Sequence, residues 1–461
     1  MGRNALILLF LGILLEASLL IMWGATNLDR TTTLLEAFFI LPFAVYFVSI
    51  VWIMKTDGDD LYSSVVVVVA ISIVMYATLM FQQAPTLSGD IYRYIWDGKL
   101  INNGLSPYKF PPDASQLAYL RDPNWYLVEN NDIISPYPPL IELFNAITYR
   151  ISPSVLAFKT LTTVFSIGTV ASLPFLLRRM DFDPRLSLIF AWNPIFILEF
   201  GSSAHDDTIA LFFVLLSLYL FSTNRMVPSA ALMALAVVSK LFPILIVPLF
   251  LKKWGIKATA FFAVVVISFY IPFVLLGGSV IAPISVYVFS STPIFNAGIF
   301  AIFQDLFSVF GTSSAVTAAR VTEYTVFGIL LVWMMRKAVF GEVQNIDLFR
   351  YSGILISVYV AFSSTVQPWY LAWIFVPFLV MMPTWSWIIF SGTIFLTYIT
   401  YAQTPISPGY WAEITWVKIV EFGQLYIMVI YEVVSRSYFV PSAKRLLGKK
   451  NPEEPTSASL T

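Results

Sequence analysis

The chain has 461 residues, of which 58% are apolar and only 12% are charged, about half the charged share of a typical soluble domain. Basic and acidic residues are equal in number, so the net charge is zero, and the composition indicates no nucleic-acid partner. The sequence contains no cysteine, which excludes disulfides and thiolate metal sites. These features favour an integral membrane protein over a soluble domain.

Apolar runs long enough to cross a bilayer recur from one end of the chain to the other. About 20 apolar residues span the hydrocarbon core as an α-helix, whereas barrel strands are shorter and alternate. The sequence therefore predicts an all-α polytopic membrane protein, with about 12 to 14 transmembrane or re-entrant helices. The clearest early runs are Ala5–Trp23, Leu34–Met54, Ser63–Phe81 and Val155–Leu177.

Clusters of Lys and Arg predict the orientation, because these residues favour the cytoplasmic side of a membrane. With all clusters inside, both termini are cytoplasmic and a large loop after the third helix is external. We therefore expect a multi-pass protein of the cell membrane, with its polar stretches facing outward. The clusters are Arg178, Arg179 and Arg185; Lys252, Lys253 and Lys257; Arg336 and Lys337; and the basic residues from Arg436 to Lys450.

This threading divides the chain into six predicted segments. A re-entrant helix pair is expected around Lys240 and Pro243, because proline favours a break there and both flanks are basic. The segments are N-terminal transmembrane helices at 1–81, a large external loop at 82–153, a transmembrane core at 154–276 that includes the external HDD turn and the Lys240 pair, a second external segment at 277–323, C-terminal transmembrane helices at 324–435, and a disordered cytoplasmic tail at 436–461.

The stretch SGDIYRYIWDGKLINNGLSPYKFPPD begins the polar part of the large loop. Asp90 lies where the third helix should leave the lipid, and a carboxylate there can accept a proton from a hydroxyl nucleophile. The same residue can cap the short helix that follows, and the two roles are compatible. Arg93 lies on the side where the positive-inside rule disfavours it, so we expect a phosphate or carboxylate partner, or an ion pair with Asp97.

Aromatic residues of the same loop have two open interpretations. Tyr92 and Trp96 either stack against a sugar or belong to an interfacial aromatic belt. Two turns rich in Pro and Tyr, NGLSPYKFPPD and ISPYPPLIELF, either present Tyr108 and Tyr137 on a rigid frame or only shape the loop.

Three more polar stretches fall on the predicted external face. GSSAHDD contains the single histidine, His205, beside Asp206 and Asp207. These residues either contact substrate hydroxyls or cap the next helix, and they are too few to predict a metal site. Lys240 lies in the apolar stretch AVVSKLFPIL, where it needs an anionic partner or must snorkel to the interface. STVQPWY adds Gln367, Trp369 and Tyr370.

Five stretches, in chain order, resemble the GT-C superfamily of membrane glycosyltransferases. The resemblance extends over about residues 80–380 and is strongest to polyprenyl-phosphate-mannose-dependent mannosyltransferases, among them glycosyltransferase family 87. It implies a GT-C fold and an inverting transfer of a hexose, expected to be mannose. The donor would be a polyprenyl-phosphate sugar and the acceptor a lipid- or glycan-linked hydroxyl on the external face. The stretches are GDIYRYIWDGKLINNGLSPYKFPP, SPYPPL, WNPIFILEFGSSAHDD, KLFPILIVPLF and QPWYLAWIFVP.

The resemblance also implies roles for individual residues. Asp90 matches the catalytic base, with Asp97 as the second candidate. The donor phosphate would meet Arg93 and Lys240, with Arg150 and Lys159 behind them. No cofactor is required, although a divalent cation stays open because some relatives use one; the expected partners are the lipid-linked donor, the acceptor and membrane lipids. Residues expected to contact the sugar or acceptor are Tyr92, Trp96, Tyr108, Tyr137, His205, Asp206, Gln367, Trp369 and Tyr370.

Two other classes stay open from the sequence. A lipid-linked glycan polymerase or ligase shares external loops and polyprenyl substrates, but it would depend on external Arg and His pairs rather than on an aspartate at a helix end. A transporter or flippase of glycolipids would show repeats and interrupted helices around a midplane site, and the sequence shows no convincing repeat.

Overall fold

The computed structural model describes residues 1–28, 32–56, 60–81, 87–279, 281, 283–285, 294–399 and 414–435. Within these ranges the regular structure is helical, and extended pairing is limited to an isolated parallel bridge between Phe295 and Thr365. The α-helices are α1 (Arg3–Leu28), α2 (Thr32–Lys55), α3 (Leu61–Met80), α4 (Asp90–Asn102), α5 (Pro139–Ile151), α6 (Val155–Arg179), α7 (Leu188–Ala191), α8 (Pro194–Ile197), α9 (Asp207–Ser222), α10 (Met226–Val237), α11 (Val247–Leu275), α12 (Ile299–Phe307), α13 (Thr312–Phe340), α14 (Asn345–Phe362), α15 (Ala372–Ile374), α16 (Trp385–Thr393) and α17 (Thr415–Val434).

Shorter turns of other helix types join these elements. Two are π-helical, at Leu198–Ser202 and Phe375–Leu379. The 3₁₀ turns are Ser115–Leu120, Pro123–Leu127, Pro184–Ser187, Phe242–Leu245, Ser308–Phe310, Pro368–Leu371 and Ile394–Tyr398.

Six helices of the described part, α1, α2, α3, α6, α11 and α13, are long and apolar enough to cross a membrane. The segments Pro194–Ser202 and Asp207–Ser222, bent by 117°, make a seventh if they form one broken span. Helices satisfy their own backbone hydrogen bonds, which lipid cannot do. The predicted class, an all-α polytopic membrane protein, is confirmed, while the total of about 12 to 14 segments stays a prediction.

The chain between α7 and α8 anchors the core through buried polar bonds. The side chain of Asn193 accepts a hydrogen bond from the backbone N–H of Ile195, and Pro194 follows at the first helical position, an arrangement that starts a helix efficiently. Asn193 also donates to Ser391 Oγ at 2.9 Å. The indole of Trp192 donates to the carbonyl of Val68 at 3.0 Å. These bonds fix the segment that leads into the HDD turn.

The break predicted around Lys240 and Pro243 is present. The chain leaves α10 at Val237, makes a 3₁₀ turn at Phe242–Leu245, and re-enters a helix at Val247. Gly255 (φ 68°, ψ 178°) then interrupts α11, in a backbone region that only glycine adopts readily. The first part of α11 is therefore a short helix paired with α10, as the charge distribution predicted.

Several predicted segment limits fall beside helix ends. Helix α3 ends at Met80, α6 begins at Val155 and α11 ends at Leu275. In contrast, α13 runs without interruption through Glu323, so the limit predicted at 323 lies inside a helix. The predicted tail at 436–461 lies outside the described residues.

The described part of the loop between α3 and α6 is held together internally and is joined to the rest of the chain at Leu140. The phenol of Tyr108 donates to the carbonyl of Tyr137 at 2.7 Å, and the N–H of Leu140 at the start of α5 donates to Val238 O at 2.8 Å. Helices α4 and α5 approach most closely at Gly98, where an added Cβ would lie 2.4 Å from the carbonyl oxygen of Asn145. A side chain at this position would therefore push the two helices apart.

We expect Gly98→Ala to destabilise the protein by about 1–3 kcal/mol, because backbone cannot move aside as a flexible side chain can. Gly328→Ala in α13 is the matched control, since nothing lies within 4 Å of an added Cβ there. Thermal unfolding of both variants in the same detergent would show the difference. Equal melting temperatures for the two variants would contradict the close approach of α4 and α5.

Candidate active site

Asp90 opens helix α4 but does not cap it. The N-cap position is Gly89, without a side-chain capping bond, and the N–H of Asp90 donates to Ser88 Oγ at 3.2 Å. The carboxylate instead lies 3.5 Å from Nδ1 of His205, with 27% of the Asp90 side chain exposed. Asp90 is therefore accessible and is available for a role other than helix capping.

The electrostatic surroundings of Asp90 suit a base that works near neutral pH. Burial raises its pKa to about 7, and the negative charges of Glu129 and Asp207 also raise it. The positive charges of Lys240 and Arg93 act in the opposite direction. A carboxyl group with this pKa exchanges its proton readily at physiological pH, which is the property required of a general base.

His205 lies in a tightly enclosed position between two acids. Its Nε2 is 3.2 Å from Glu199 Oε2, and its ring stacks on Trp369 with centroids 3.6 Å apart. The preceding residue, Ala204, is buried and has a φ of 62°, a costly backbone state for a residue other than glycine. The turn between the π-helical segment and α9 is thus strained at the point where it presents His205 to Asp90.

A second centre is formed by Lys240 and two neighbouring aspartates. Nζ of Lys240 lies 2.8 Å from Asp206 Oδ1 and 2.9 Å from Asp207 Oδ2. The other oxygen of Asp207 accepts a hydrogen bond from the indole of Trp373 at 2.7 Å. The same ammonium lies 5.7 Å from the centre of the Tyr137 ring. The two aspartates therefore bind a buried cation, whereas a side-chain capping bond at the start of α9 is absent among the described contacts.

A third group of charges lies inside the loop between α3 and α6. Nε of Arg93 is 3.0 Å from both oxygens of Asp97, and both side chains are buried, so the ion pair left open by the sequence is present. Glu142, also buried, accepts a hydrogen bond from Ser135. Burial raises the pKa of Glu142 well above its usual range, and the charge of Asp97 raises it further. Burial also raises the pKa of Asp97, but the charge of Arg93 lowers it, so Glu142 is the more readily protonated of the two acids.

The structure brings most of the predicted stretches together and leaves some residues apart. The loop, the HDD turn, the Lys240 turn and Trp369 meet through the contacts above. Tyr370 stacks on Trp373 with centroids 4.2 Å apart. Tyr92 and Trp96 pack in an apolar cluster with Leu117 and Val128, and Tyr108 is buried against Phe273. Arg150 is exposed in the last turn of α5 and Lys159 is buried on α6.

The sequence did not identify four residues that the structure places in or beside this site. Glu199 had a signal, since a lone acid within an apolar run usually has a function. Asp207 was considered as a substrate contact or a helix cap, but not as a partner of Lys240. Glu129, which accepts a hydrogen bond from the backbone of Gly89, and Trp373 had no local signal, because their contacts depend on the tertiary fold.

No group of three or more His, Asp or Glu residues in the described ranges is arranged to hold a metal ion. The ammonium of Lys240 lies between the two aspartates that would otherwise be the most obvious ligands. The binding of a divalent cation, which the sequence left open, is therefore neither supported nor excluded.

The fold and the site define a polytopic helical membrane protein with a cluster of acids, one histidine and one lysine at the ends of its helices. Residues 9–256, more than half of the chain, match the family described as "Alpha-(1->6)-mannopyranosyltransferase, N-terminal domain". The chain belongs to this family of glycosyltransferases, and the resemblance inferred from the sequence motifs is confirmed.

A curated relative agrees with the family assignment. "Alpha-(1->6)-mannopyranosyltransferase A" of Corynebacterium glutamicum is 27% identical over 173 residues, which are 35% of this chain and 34% of the relative. The chain thus matches about a third of the length of that protein.

The charge states of the Arg93 group lead to a test of stability. We expect Asp97→Asn to cost about 3–5 kcal/mol, because it leaves the buried guanidinium of Arg93 without its counter-ion. Glu142→Gln should cost less than about 1 kcal/mol, since it replaces one neutral group by another. Thermal unfolding of the two variants in the same lipid nanodiscs measures the difference. A larger loss for Glu142→Gln than for Asp97→Asn would show that the proton lies on the other acid.

Proposed function

We propose that this protein is an inverting mannosyltransferase that moves mannose from a polyprenyl-phosphate-linked donor to a hydroxyl of a lipid- or glycan-linked acceptor at the external membrane face. Family membership supports the transfer of mannose. The observation that carries the mechanism is Asp90, a partly exposed carboxyl group at a helix start whose pKa is about 7. Its location beside a cluster of buried polar groups is what a base for a hydroxyl nucleophile requires.

The reaction uses Asp90 as a proton acceptor. As the acceptor hydroxyl transfers its proton to the Asp90 carboxylate, its oxygen forms a bond to the anomeric carbon of mannose. The bond between that carbon and the phosphate oxygen breaks, and its electron pair leaves with polyprenyl phosphate. Attack from the face opposite the phosphate inverts the configuration. The proton then passes from Asp90 to water, which restores the base.

Cations must stabilise the charge that develops on the leaving phosphate. Lys240 and Arg93 are the proposed donors, because their positive charges are the ones that reach Asp90. Nη2 of Arg93 is buried and has no hydrogen-bond partner within the described part of the chain. Lys240 is balanced by two aspartates and Arg93 by Asp97 alone, so we rank Arg93 first. Arg150 and Lys159 stay secondary proposals.

Sugar and acceptor hydroxyls would be recognised by buried polar atoms close to the base. Asp206 Oδ2, Tyr94 OH and Gln367 Oε1 are buried without a hydrogen-bond partner among the described residues, and such groups cost free energy unless a ligand satisfies them. Tyr137, Trp369 and Tyr370 supply the adjoining aromatic surface. Asp97, Tyr92, Trp96 and Tyr108 lie deeper in the loop and would act by supporting it.

The proposed external position of the site follows from the two ends of α9. At its C-terminal end, Arg179 of the basic cluster on α6 donates to Ser222 O at 2.9 Å. Asp207 begins the same helix at the other end. Because basic clusters favour the cytoplasmic side, we propose that the end of α9 that begins at Asp207, where Lys240 also lies, faces outward.

Substitution of the base is the first test of the reaction. In membranes containing the over-expressed protein and radiolabelled polyprenyl-phosphate-mannose, we expect Asp90→Asn to lower the rate of label transfer about 10²- to 10⁴-fold. Asp113→Asn is the matched control, because Asp113 lies exposed in the same loop. Equal transfer by Asp90→Asn and wild type, with both proteins folded, would exclude Asp90 as the base.

The pH dependence gives an independent test. Asp90 must be ionised to accept a proton, and its pKa is about 7. The single-turnover rate should therefore rise about tenfold per pH unit below 7 and level off above it. A rate that is flat through this range, or that falls as the pH rises through 7, would contradict the proposed role.

A further inference from the structure

His205 is enclosed on every side that could bind a substrate. Nδ1 faces Asp90 at 3.5 Å, Nε2 faces Glu199 at 3.2 Å, and one ring face is covered by Trp369. The side chain is only 1% exposed. An imidazole has two polar atoms, and both are directed at carboxyl groups. The enclosure of the ring, which is 1% exposed, therefore leaves no room for a sugar hydroxyl at either nitrogen.

The two acids differ in ways that fix the direction of the hydrogen bonds. Glu199 is fully buried in the π-helical turn, and its side chain has no cation partner among the described ion pairs. A buried carboxyl group in this position is stable when it keeps its proton. Nε2 of His205 and the carboxyl oxygens of Glu199 have no other hydrogen-bond partner in the described part of the chain, and Nε2 lies 3.2 Å from Oε2. A proton on Glu199 that turns toward Nε2 would satisfy both groups and leave the hydrogen of the neutral imidazole on Nδ1, directed at Asp90.

Other charged groups around the pair favour the same arrangement. Lys240, from the turn between α10 and α11, places a positive charge near the ring and disfavours a second one on the imidazole. Asp90 is faced by Arg93 on its own helix, by Glu129 in the loop and by Asp207 at the start of α9. A neutral His205 that donates to Asp90 is therefore consistent with the charges on all neighbouring elements.

We infer that His205 is a positioning residue for the base: held by Glu199 and Trp369, it donates Nδ1–H to Asp90 Oδ2, stabilises the ionised carboxylate, and leaves Oδ1 for the acceptor hydroxyl. This inference rests on the proposed role of Asp90. The distance of 3.5 Å is long for a hydrogen bond, and bonds of this kind shorten when substrate closes a site. Glu199 acts through His205 and does not contact the reacting atoms.

Loss of the donor has a consequence that a purely structural role would not produce. Without Nδ1–H, the charged form of Asp90 loses a stabilising hydrogen bond, so its pKa rises above about 7. The rate at neutral pH falls because less of the base is ionised, while KM is unchanged. A residue that binds sugar would instead raise KM and leave the pH profile in place.

The decisive experiment measures the protonation of Asp90 without using activity. Infrared spectra of the protein in nanodiscs are recorded across a pH range centred on 7, and the carboxyl band of Asp90 is assigned by subtracting the Asp90→Asn spectrum. His205→Phe keeps a ring to stack on Trp369 but cannot donate. We expect this variant to raise the proton affinity of Asp90 about tenfold, which moves the titration midpoint of Asp90 upward by about one pH unit. Glu199→Gln keeps a donor for Nε2, so it should leave the proton affinity of Asp90 within about threefold of the wild-type value.

A further variant covers the case in which His205→Phe does not fold. Glu199→Met leaves the imidazole in place but removes the group that fixes its tautomer, and it should shift the Asp90 midpoint upward by a smaller amount. An unchanged Asp90 midpoint in folded His205→Phe, or in Glu199→Met where His205→Phe does not fold, would overturn the inference. A rise in KM with an unchanged pH profile would also overturn it.

The result is separable from the test of the proposed function. If wild-type protein transfers no mannose, the infrared titration still decides whether His205 donates to Asp90. If mannose is transferred but Asp90 titrates identically with and without His205, the reaction stands and the positioning role fails.

Discussion

The site depends on the buried ion pairs of Lys240 with Asp206 and Asp207. Burying such charges is costly unless each has a partner, so these residues hold one another and, with them, two distant parts of the chain. Lys240 lies in the break between α10 and α11, and the aspartates lie at the start of α9. Val238, beside Lys240, accepts a hydrogen bond from the N–H of Leu140 in the loop between α3 and α6. The same contact region therefore fixes the distance between the loop and the membrane helices.

The balance of charge around this point explains why Asp90 has its unusual pKa. Asp90, Asp206, Asp207 and Glu129 supply more negative charge than Lys240 and Arg93 neutralise. Protons must make up part of the difference, and the acid with access to solvent is the one that can exchange a proton during a reaction. Asp90 is 27% exposed, whereas Asp206 and Asp207 are almost fully buried. Access to solvent thus separates the proposed base from the acids that hold the structure.

Local sequence patterns predicted much of the fold, whereas the residues that were missed depend on tertiary contacts. The apolar runs predicted α1, α2, α3 and α6. The short helix α4 was predicted from Asp90 at its start and from Gly104 just after its end. Arg93 and Asp97 had the spacing of an ion pair, but the sequence could not show that the pair would be buried. Glu199 and Glu129 meet the site through contacts between distant segments. The limit predicted at 323 lies within α13, because the polar residues there do not end that helix.

The position of the site at the ends of helices has a physical reason. Backbone without helical hydrogen bonds is excluded from lipid but is tolerated where it lies within protein or at the water interface. The π-helical turn, the strained Ala204 and the broken chain at Lys240 all lie in such a protected region. A lipid-linked phosphate is held at the level of the headgroups, and an acceptor hydroxyl reaches the same level from water. The proposed base at a helix end is thus placed where both proposed substrates could meet, beside the buried ion pairs of Lys240.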